Sequence, residues 1–277
     1  MATLSAPFLF TGYLLCGTTG VLIALLFAID TNLYAYWNCD KVLLRMYGAV
    51  EVDETNCTEL VHTVRDLCGA ACLPMPKLFV AQNCLPNAFA TGRNPKHASL
   101  CVTSGLLAGV NGEELAGVLA HELGHIRNRD TLTLTIVATI AAAVDMAANF
   151  AYFLGGDERR NPLGFIALIG VAIIVPLAAM LLQMAVSRTG EFEADRMGAE
   201  ISGKPLWLAS ALQKIEHAVT NNQHADANPT MAHMFTIDPL RGTGMSGLFS
   251  NHPSSEDRIA RLRAMAGRVP AQTGPWG

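Results

Sequence analysis

The chain has 277 residues, of which 51% are hydrophobic and only 15% are charged. Soluble domains carry about 25% charged residues, so this composition and a mean hydropathy of +0.31 favour a membrane protein. The net charge is -4 and no long basic run is present, which argues against nucleic acid as the main partner.

The seven cysteines do not predict a disulfide framework, because their number is odd and no C-x-x-C pair occurs. We expect reduced thiols in a cytosol-like compartment. Cys68 and Cys72 lie one helical turn apart, but without a partner pair they are more typical of packing than of metal binding.

The N-terminal region, residues 1–48, predicts a membrane anchor. Its apolar stretch at 7–29 is long enough to cross a bilayer, for which about 20 residues suffice. A cleaved signal peptide is the alternative, but no basic segment precedes the stretch and no cleavage pattern clearly follows it. The glycines and threonines at 17–20 also leave room for a kink or an incomplete hairpin.

Residues 49–130 form the first polar block. The apolar positions Leu60, Val61, Val64 and Leu67 share one helical face, and the prolines at 74 and 76 end that helix. Two short strands are predicted next, at 77–81 and 99–103, and the pattern between them indicates a loop at 87–94.

A second helix in this block carries the main chemical signal. Asn111 is a good N-cap, and acidic residues follow in the first turn. His121 and His125 are four residues apart on this helix, so both imidazoles project from one face and can bind one Zn²⁺. Glu122 lies between them, placed to take a proton from an activated water.

Two further apolar stretches, at 131–154 and 163–186, follow the zinc motif and predict a transmembrane hairpin at 131–186. The alternative is a pair of buried helices in a large soluble core. Basic residues near the predicted membrane ends place the polar part of the chain in the cytoplasm. These residues are Lys41, Arg45, Arg127, Arg129 and Arg188.

The second polar block, residues 187–267, predicts three helices. The first runs through 191–200 and breaks near Gly203, the second has Pro205 in its first turn, and the last begins at Ser254 or Ser255. The hairpin returns the chain to the side it left, so we expect both polar blocks to form one domain. Residues 268–277 are expected to be a flexible tail.

Two histidines require a third protein ligand for zinc. Glu191 and Asp195 share a face of the helix through 191–200, so one could bind the metal while the other orients a histidine ring. The alternative is a solvated acidic helix start, since acidic residues are common in a first turn. The residues alone leave these two interpretations open.

Several short blocks of sequence give the chain a resemblance to a known family. They are Tyr36-Trp37, RMYGA at 45–49, Pro76-Lys77, NAFATG at 87–92, TSGLL at 103–107, HELGHIRNRD at 121–130, Ser187-Arg188 with EFEAD at 191–195, and His252-Pro253 with Arg258. In this order they resemble the HtpX-type membrane zinc peptidases, relatives of the CAAX prenyl endopeptidases. The resemblance covers nearly all of the chain.

The resemblance assigns roles to individual residues. It implies that Glu191 is the third zinc ligand and that Asp195 orients a zinc-bound histidine. It implies that His252 stabilises the oxyanion of the tetrahedral intermediate, with Arg258 nearby. Asn87 would bind substrate at an edge strand in the region 87–103, where an extended peptide adds to the sheet through main-chain hydrogen bonds.

The expected protein is therefore mainly α-helical with a small β-sheet, combining multi-pass membrane helices with a zincin-like metalloprotease domain. It would bind one Zn²⁺ per chain and lie in the cell inner membrane, in contact with the lipid bilayer, with the peptidase domain facing the cytoplasm. The resemblance implies a stress-response, quality-control protease that cuts misfolded or damaged membrane proteins and other unfolded polypeptides.

Two rival functions are compatible with parts of the sequence. An intramembrane protease of the site-2 type also uses an HExxH motif, but there the motif lies inside an apolar helix. Here charged residues surround the motif, which disfavours that class. A non-catalytic membrane protein with a structural zinc is the other rival, and it would require four protein ligands rather than three.

Overall fold

The computed structural model describes residues 40–131, 188–221 and 253–267 continuously, together with scattered positions between 17 and 38. Nearly all of the predicted membrane hairpin, most of the predicted anchor and the predicted tail therefore lie outside the described residues. Among the residues that are described, no helix combines the length and the apolar character needed to cross a bilayer.

The described part of the chain is mainly helical with a small mixed sheet, as the sequence predicted. In chain order its elements are β1 (Val50–Val52), α1 (Thr58–Ala71), β2 (Lys77–Ala81), β3 (Ala88–Gly92), a 3-10 turn (Pro95–His97), β4 (Ala98–Thr103), α2 (Ser104–Gly109), α3 (Gly112–Asn128), α4 (Arg188–Ser202), α5 (Pro205–Asn221) and α6 (Ser255–Ala266).

The four strands are arranged in the order β1-β2-β4-β3, so β3 is an edge strand of the described sheet. β2 and β4 are parallel, and the outer pairs β1–β2 and β3–β4 are antiparallel. The loop predicted from the pattern at 87–94 is wrong, because Ala88–Gly92 is a strand. All five of its residues are buried, so it lacks the polar alternation that marks a half-exposed strand.

Helix α3, which carries the HExxH motif, begins where the sequence predicted. Asn111 is its N-cap, and a capping box joins Asn111 to Glu114 through two reciprocal hydrogen bonds of 2.9 Å. The predicted helices of the second block are also confirmed: α4 ends just before Gly203, α5 begins at Pro205, and Ser254 is the N-cap of α6.

The start of α3 is tied to α5 by the Glu114 carboxylate, which is only 3% exposed. In addition to its capping bond, this carboxylate accepts hydrogen bonds of 2.7 Å from Ser210 Oγ and from Lys214 Nζ. A buried carboxylate with three donors is fully compensated for its loss of water. The contact therefore fixes the position of α3 relative to α5.

Both polar blocks contribute to a single hydrophobic core. Leu119 and Leu123 of α3, Leu100 of β4, and Leu208 and Leu212 of α5 belong to one cluster and are each no more than 1% exposed. Each fully buried leucine contributes up to about 2 kcal/mol relative to an exposed one. The two blocks on either side of the predicted hairpin are thus parts of one packed unit.

Glycines allow α3 to approach its neighbours closely. A Cβ added at Gly117 would lie 2.6 Å from the backbone nitrogen of Leu208 in α5. A Cβ added at Gly198 in α4 would lie 2.9 Å from both Cα and N of His121. Both contacts are with backbone atoms, so a side chain at either position would push the helices apart.

Gly198→Ala is therefore expected to destabilise the fold by about 1–3 kcal/mol, the usual cost of overpacking a tight contact. Gly69→Ala is the matched control, since Gly69 is also helical and an added Cβ meets nothing within 4 Å. That control should stabilise α1 by about 0.5–1 kcal/mol through helix propensity. Thermal unfolding of the two variants measures the difference, and equal stability would contradict the close packing of α3 on α4.

Candidate metal centre

His121 and His125 lie on the buried face of α3, one helical turn apart. Their relative exposures are 1% and 7%, and their ring centroids are 4.8 Å apart with the planes nearly perpendicular, at 88°. The spacing of four residues places both rings on the side of α3 that packs against α4. The two imidazoles therefore face the first turn of α4.

Glu191, in the first turn of α4, completes a cluster of three donors. Its Oε2 lies 3.8 Å from His121 Nε2, and its Oε1 lies 3.6 Å from His125 Nε2. One donor atom from each residue can be chosen so that all lie within 4.8 Å of one another. Donors at tetrahedral zinc, with bonds of 2.0–2.1 Å, are separated by roughly 3.3 Å. The cluster is thus close to the size that zinc requires.

His121 is oriented by an ion pair that joins α4 to α6. Its Nδ1 lies 3.0 Å from Asp195 Oδ1, and Arg258 donates hydrogen bonds of 2.8 and 2.7 Å to the two oxygens of the same carboxylate. Arg258 Nη1 also lies 3.2 Å from Glu191 Oε2. Because Nδ1 faces a carboxylate, Nε2 is the nitrogen available to a metal.

His125 has a carboxylate of its own. Its Nδ1 lies 3.2 Å from Oδ2 of Asp130, a residue to which the sequence reasoning assigned no role. Asp130 follows the end of α3, where Arg129 adopts a left-handed conformation with φ 63°. The sequence does show an acidic residue just beyond the motif helix. Its spacing from His125 does not reveal that the chain turns back toward the ring.

The charges around the cluster are strongly unbalanced. Four carboxylates, those of Glu122, Asp130, Glu191 and Asp195, contact or flank the two imidazoles, and among the described residues Arg258 is the permanent cation in contact with two of them, Glu191 and Asp195. An excess of buried negative charge is unfavourable unless a cation neutralises it. A divalent metal between the two histidines and Glu191 would supply that charge.

The pKa values follow from this arrangement. Burial alone would raise the pKa of Asp195, but the charge of Arg258 and the hydrogen bond from His121 lower it to about 2. Burial disfavours the charged form of His125, yet the carboxylates of Asp130, Glu191 and Glu122 outweigh it and raise its pKa to about 9. Asp195 therefore stays ionised. Without a metal, His125 holds a second proton near neutral pH, and a divalent metal bound at Nε2 would displace that proton.

Glu122 lies beside the cluster without belonging to it. Its Oε2 accepts a 2.9 Å hydrogen bond from the backbone N–H of Ala90 on the edge strand β3. Burial raises the pKa of the Glu122 carboxyl, opposed by the two imidazoles and by the Ala90 N–H. A carboxylate with a raised pKa is a stronger proton acceptor near neutral pH.

Of the two other residues to which the resemblance assigned roles, the structure describes Asn87 but not His252. Asn87 is fully buried just before β3, and its backbone N–H and C=O are hydrogen-bonded to Thr103 at 2.8 and 2.9 Å. The structure thus places Asn87 directly before the strand that contacts Glu122, while its role in substrate binding stays a prediction. His252 lies outside the described residues, and its role also stays a prediction.

The donor set fits zinc better than a hard cation. Two imidazoles and one carboxylate are a common catalytic zinc set, whereas Ca²⁺ and Mg²⁺ prefer all-oxygen ligands. A candidate metal site is a group of three or more His, Cys, Asp or Glu side chains with closely spaced ligand atoms. Within the stretches that the structure describes, His121, His125 and Glu191 form the one group of this kind. Their assignment as zinc ligands remains a prediction that the geometry supports.

Comparison with known proteins gives a consistent placement. The chain resembles the crystal structure of Ste24p from S. mikatae with a TM-score of 0.55 and 16% sequence identity. The match covers 95% of this chain and 63% of that one, so this chain spans less than two thirds of the length of Ste24p. At this level of identity the likeness concerns the fold.

The profile of peptidase family M48 matches residues 54–266, which include every described residue of the cluster and of its surroundings. The match extends over more than half of the chain and confirms, at the level of the family, the resemblance inferred from the short motifs. From its sequence blocks, its fold and this match, the chain belongs to peptidase family M48, a family of zinc metallopeptidases.

Proposed function

We propose that the protein is a membrane-bound, zinc-dependent endopeptidase that hydrolyses peptide bonds with Glu122 as general base. The observation that carries the proposal is the position of Glu122. It lies between His121 and His125 in the chain, is 5% exposed, and is held by the edge strand rather than by the donor cluster. Membership of a peptidase family supports the same reaction class.

The chain would hold the metal through His121 Nε2, His125 Nε2 and the Glu191 carboxylate. When bound, Zn²⁺ supplies Lewis-acid activation of water and of the peptide carbonyl. Three protein donors are typical of a catalytic zinc, which keeps a further position for water or substrate. The pairing of Asp195 with Arg258 would hold the His121 ring in place during turnover.

Glu122 would take a proton from the attacking water and pass it to the leaving amine. The Ala90 N–H holds Oε2 at 2.9 Å, and we assign proton transfer to the other carboxylate oxygen. Fixing one oxygen limits rotation of the carboxylate, so that less orientational freedom is lost on the way to the transition state. This contact also couples the base directly to the strand on which we expect substrate to lie.

The substrate would bind as an extended strand along β3. An edge strand offers main-chain hydrogen bonds that do not depend on side-chain identity, which suits a protease with broad sequence tolerance. Asn87 precedes this strand and is our candidate for a side-chain contact with the peptide. The resemblance adds His252 as a donor to the oxyanion, and such a donor can supply several kcal/mol of transition-state stabilisation.

A structural zinc site in a non-catalytic membrane protein is the second candidate. Structural zinc is normally closed by four protein ligands. No fourth side chain joins His121, His125 and Glu191 among the described residues, and all five described free cysteines lie outside that group. These observations favour the catalytic proposal.

Membrane attachment is supported by the surface of the N-terminal helical segment. Leu22, Ile23 and Leu26 are described there, and each is more than 60% exposed. Large apolar side chains exposed together on a helix are typical of contact with lipid or with another apolar surface. We therefore propose a multi-pass protein of the inner membrane with its peptidase domain in the cytoplasm, acting on misfolded or damaged membrane proteins and other unfolded polypeptides.

Glu122→Gln is expected to lower kcat by at least roughly 100-fold, the usual contribution of a general base. The glutamine can still accept the Ala90 hydrogen bond, and the metal donors are unchanged, so zinc binding should survive. Cleavage of an unfolded model protein by detergent-purified enzyme, depleted of metal and reloaded with zinc, measures the effect.

Glu113→Gln is the matched control for this substitution, because Glu113 is an exposed residue of the same helix. It should cleave like the wild-type protein. Equal activity of Glu122→Gln and wild type would reject Glu122 as the base. Tight zinc binding with no cleavage by the wild type would favour the structural-zinc alternative.

Membrane fractionation tests the proposed location independently of catalysis. The exposed apolar segment predicts that the protein stays with membranes after washing at high salt and at alkaline pH, and that it is released only by detergent. Immunoblotting of the fractions measures the distribution. Release by alkaline carbonate alone would contradict integral membrane insertion.

A further inference from the structure

We propose that Asp130 is a positioning residue for His125 and acts on this ring as Asp195 acts on His121. The inference rests on the proposed zinc site, and it adds a residue on which zinc affinity depends. The proposal is based on the 3.2 Å separation between Asp130 Oδ2 and His125 Nδ1.

The contact favours Nδ1 as the protonated nitrogen of neutral His125. When Nδ1 carries the proton and donates it to Asp130, Nε2 presents its lone pair. That Nε2 is the atom 3.6 Å from Glu191 Oε1. Both histidines of the cluster thus have a carboxylate on Nδ1 and face Glu191 with Nε2, so the two rings are prepared in the same way.

The end of helix α3 delivers Asp130 to this position. In a continued helix, a residue five places after His125 would lie about 140° around the axis and about 7.5 Å further along it, away from the ring. Instead the chain turns back at Arg129, whose φ is 63°. Asp130 N–H then donates to His125 C=O at 3.1 Å, and Arg129 N–H donates to Ile126 C=O at 3.2 Å.

Helix stability alone does not explain an acidic residue at this position. A negative charge next to the C-terminus of a helix is unfavourable, since the helix dipole is negative there. The left-handed residue with its two backbone hydrogen bonds is itself a common way for a helix to end, and α1 ends in the same way at Cys72, whose φ is 54°. The turn therefore delivers Asp130 to the ring, and the contact with His125 accounts for the negative charge at this position.

The two positioning carboxylates differ in strength. Asp195 is 3% exposed and accepts two hydrogen bonds from Arg258, whereas the Asp130 side chain is 34% exposed. Water weakens an exposed charged contact. Removing such a partner typically lowers metal affinity 10- to 100-fold. We therefore expect that removing the Asp130 carboxylate lowers zinc affinity by a factor toward the lower end of this range.

The test measures zinc affinity of the full-length protein by competition with a chromophoric chelator. All variants carry Glu122→Gln, so that self-cleavage cannot interfere and the result does not depend on activity. Asp130→Ala should raise the zinc dissociation constant roughly tenfold or more. Asp130→Asn, which keeps an oxygen acceptor without the charge, should fall between this variant and the parent.

Asp66→Asn is the control, because Asp66 is an exposed acidic residue of α1, away from the cluster. It should bind zinc like the parent, and the metal-free forms of all variants should unfold at the same temperature. Parental affinity in Asp130→Ala would overturn the proposal. So would a lower unfolding temperature of its metal-free form, which would make the role of Asp130 purely structural.

The turn itself provides a second pair of variants. Arg129→Gly suits the left-handed conformation and should keep parental zinc affinity, whereas Arg129→Val should weaken it, because a β-branched residue resists a positive φ. Equal affinity of the two would overturn delivery of Asp130 by this turn. Failure of the parent to bind zinc at all would instead reject the proposed zinc site.

Discussion

The close contact between α3 and α4 is the constraint on which the candidate site depends. The donors come from two helices that are separated in sequence by the predicted membrane hairpin, and they meet only because the helices approach closely. Gly198 makes this approach possible, since its missing side chain leaves room for the backbone of His121. The same approach brings Asp195 within 3.0 Å of His121. Helix packing and ligand geometry therefore depend on each other in this protein, and Gly198 contributes to the site although glycine lowers helix propensity.

This convergence has an electrostatic consequence. Several carboxylates are brought together in a buried region, and Arg258, which is only 1% exposed, contacts two of them, Glu191 and Asp195. Burying charged side chains without partners of opposite charge would be strongly unfavourable. The hydrogen bonds from Arg258 to Asp195 and its contact with Glu191 compensate part of the charge. Metal binding would compensate more of it, so zinc affinity and the stability of this region are expected to be coupled.

The sequence predicted most of the local structure of the site and little of its three-dimensional contacts. The N-cap at Asn111 and the spacing of His121 and His125 depend on neighbours within one or two helical turns, and such signals can be read from the chain directly. Strand β3 was missed by pattern because Ala88, Ala90 and Gly92 have low strand propensity and the strand is buried throughout. The hydrogen bond from Ala90 to Glu122 and the turn at Arg129 are products of tertiary packing and backbone conformation, which periodicity does not encode. Glu191 could be favoured over other acidic residues only through resemblance to a family.

The most direct test of the account is zinc K-edge X-ray absorption on the purified full-length protein loaded with one equivalent of zinc. We expect two imidazole nitrogens at about 2.0–2.1 Å, a carboxylate oxygen from Glu191, and a water-derived oxygen in the remaining position. Glu191→Gln should change the oxygen shell and leave the two imidazoles in place. A sulfur neighbour at about 2.3 Å, or a fourth protein ligand in place of the water, would contradict the proposed catalytic centre.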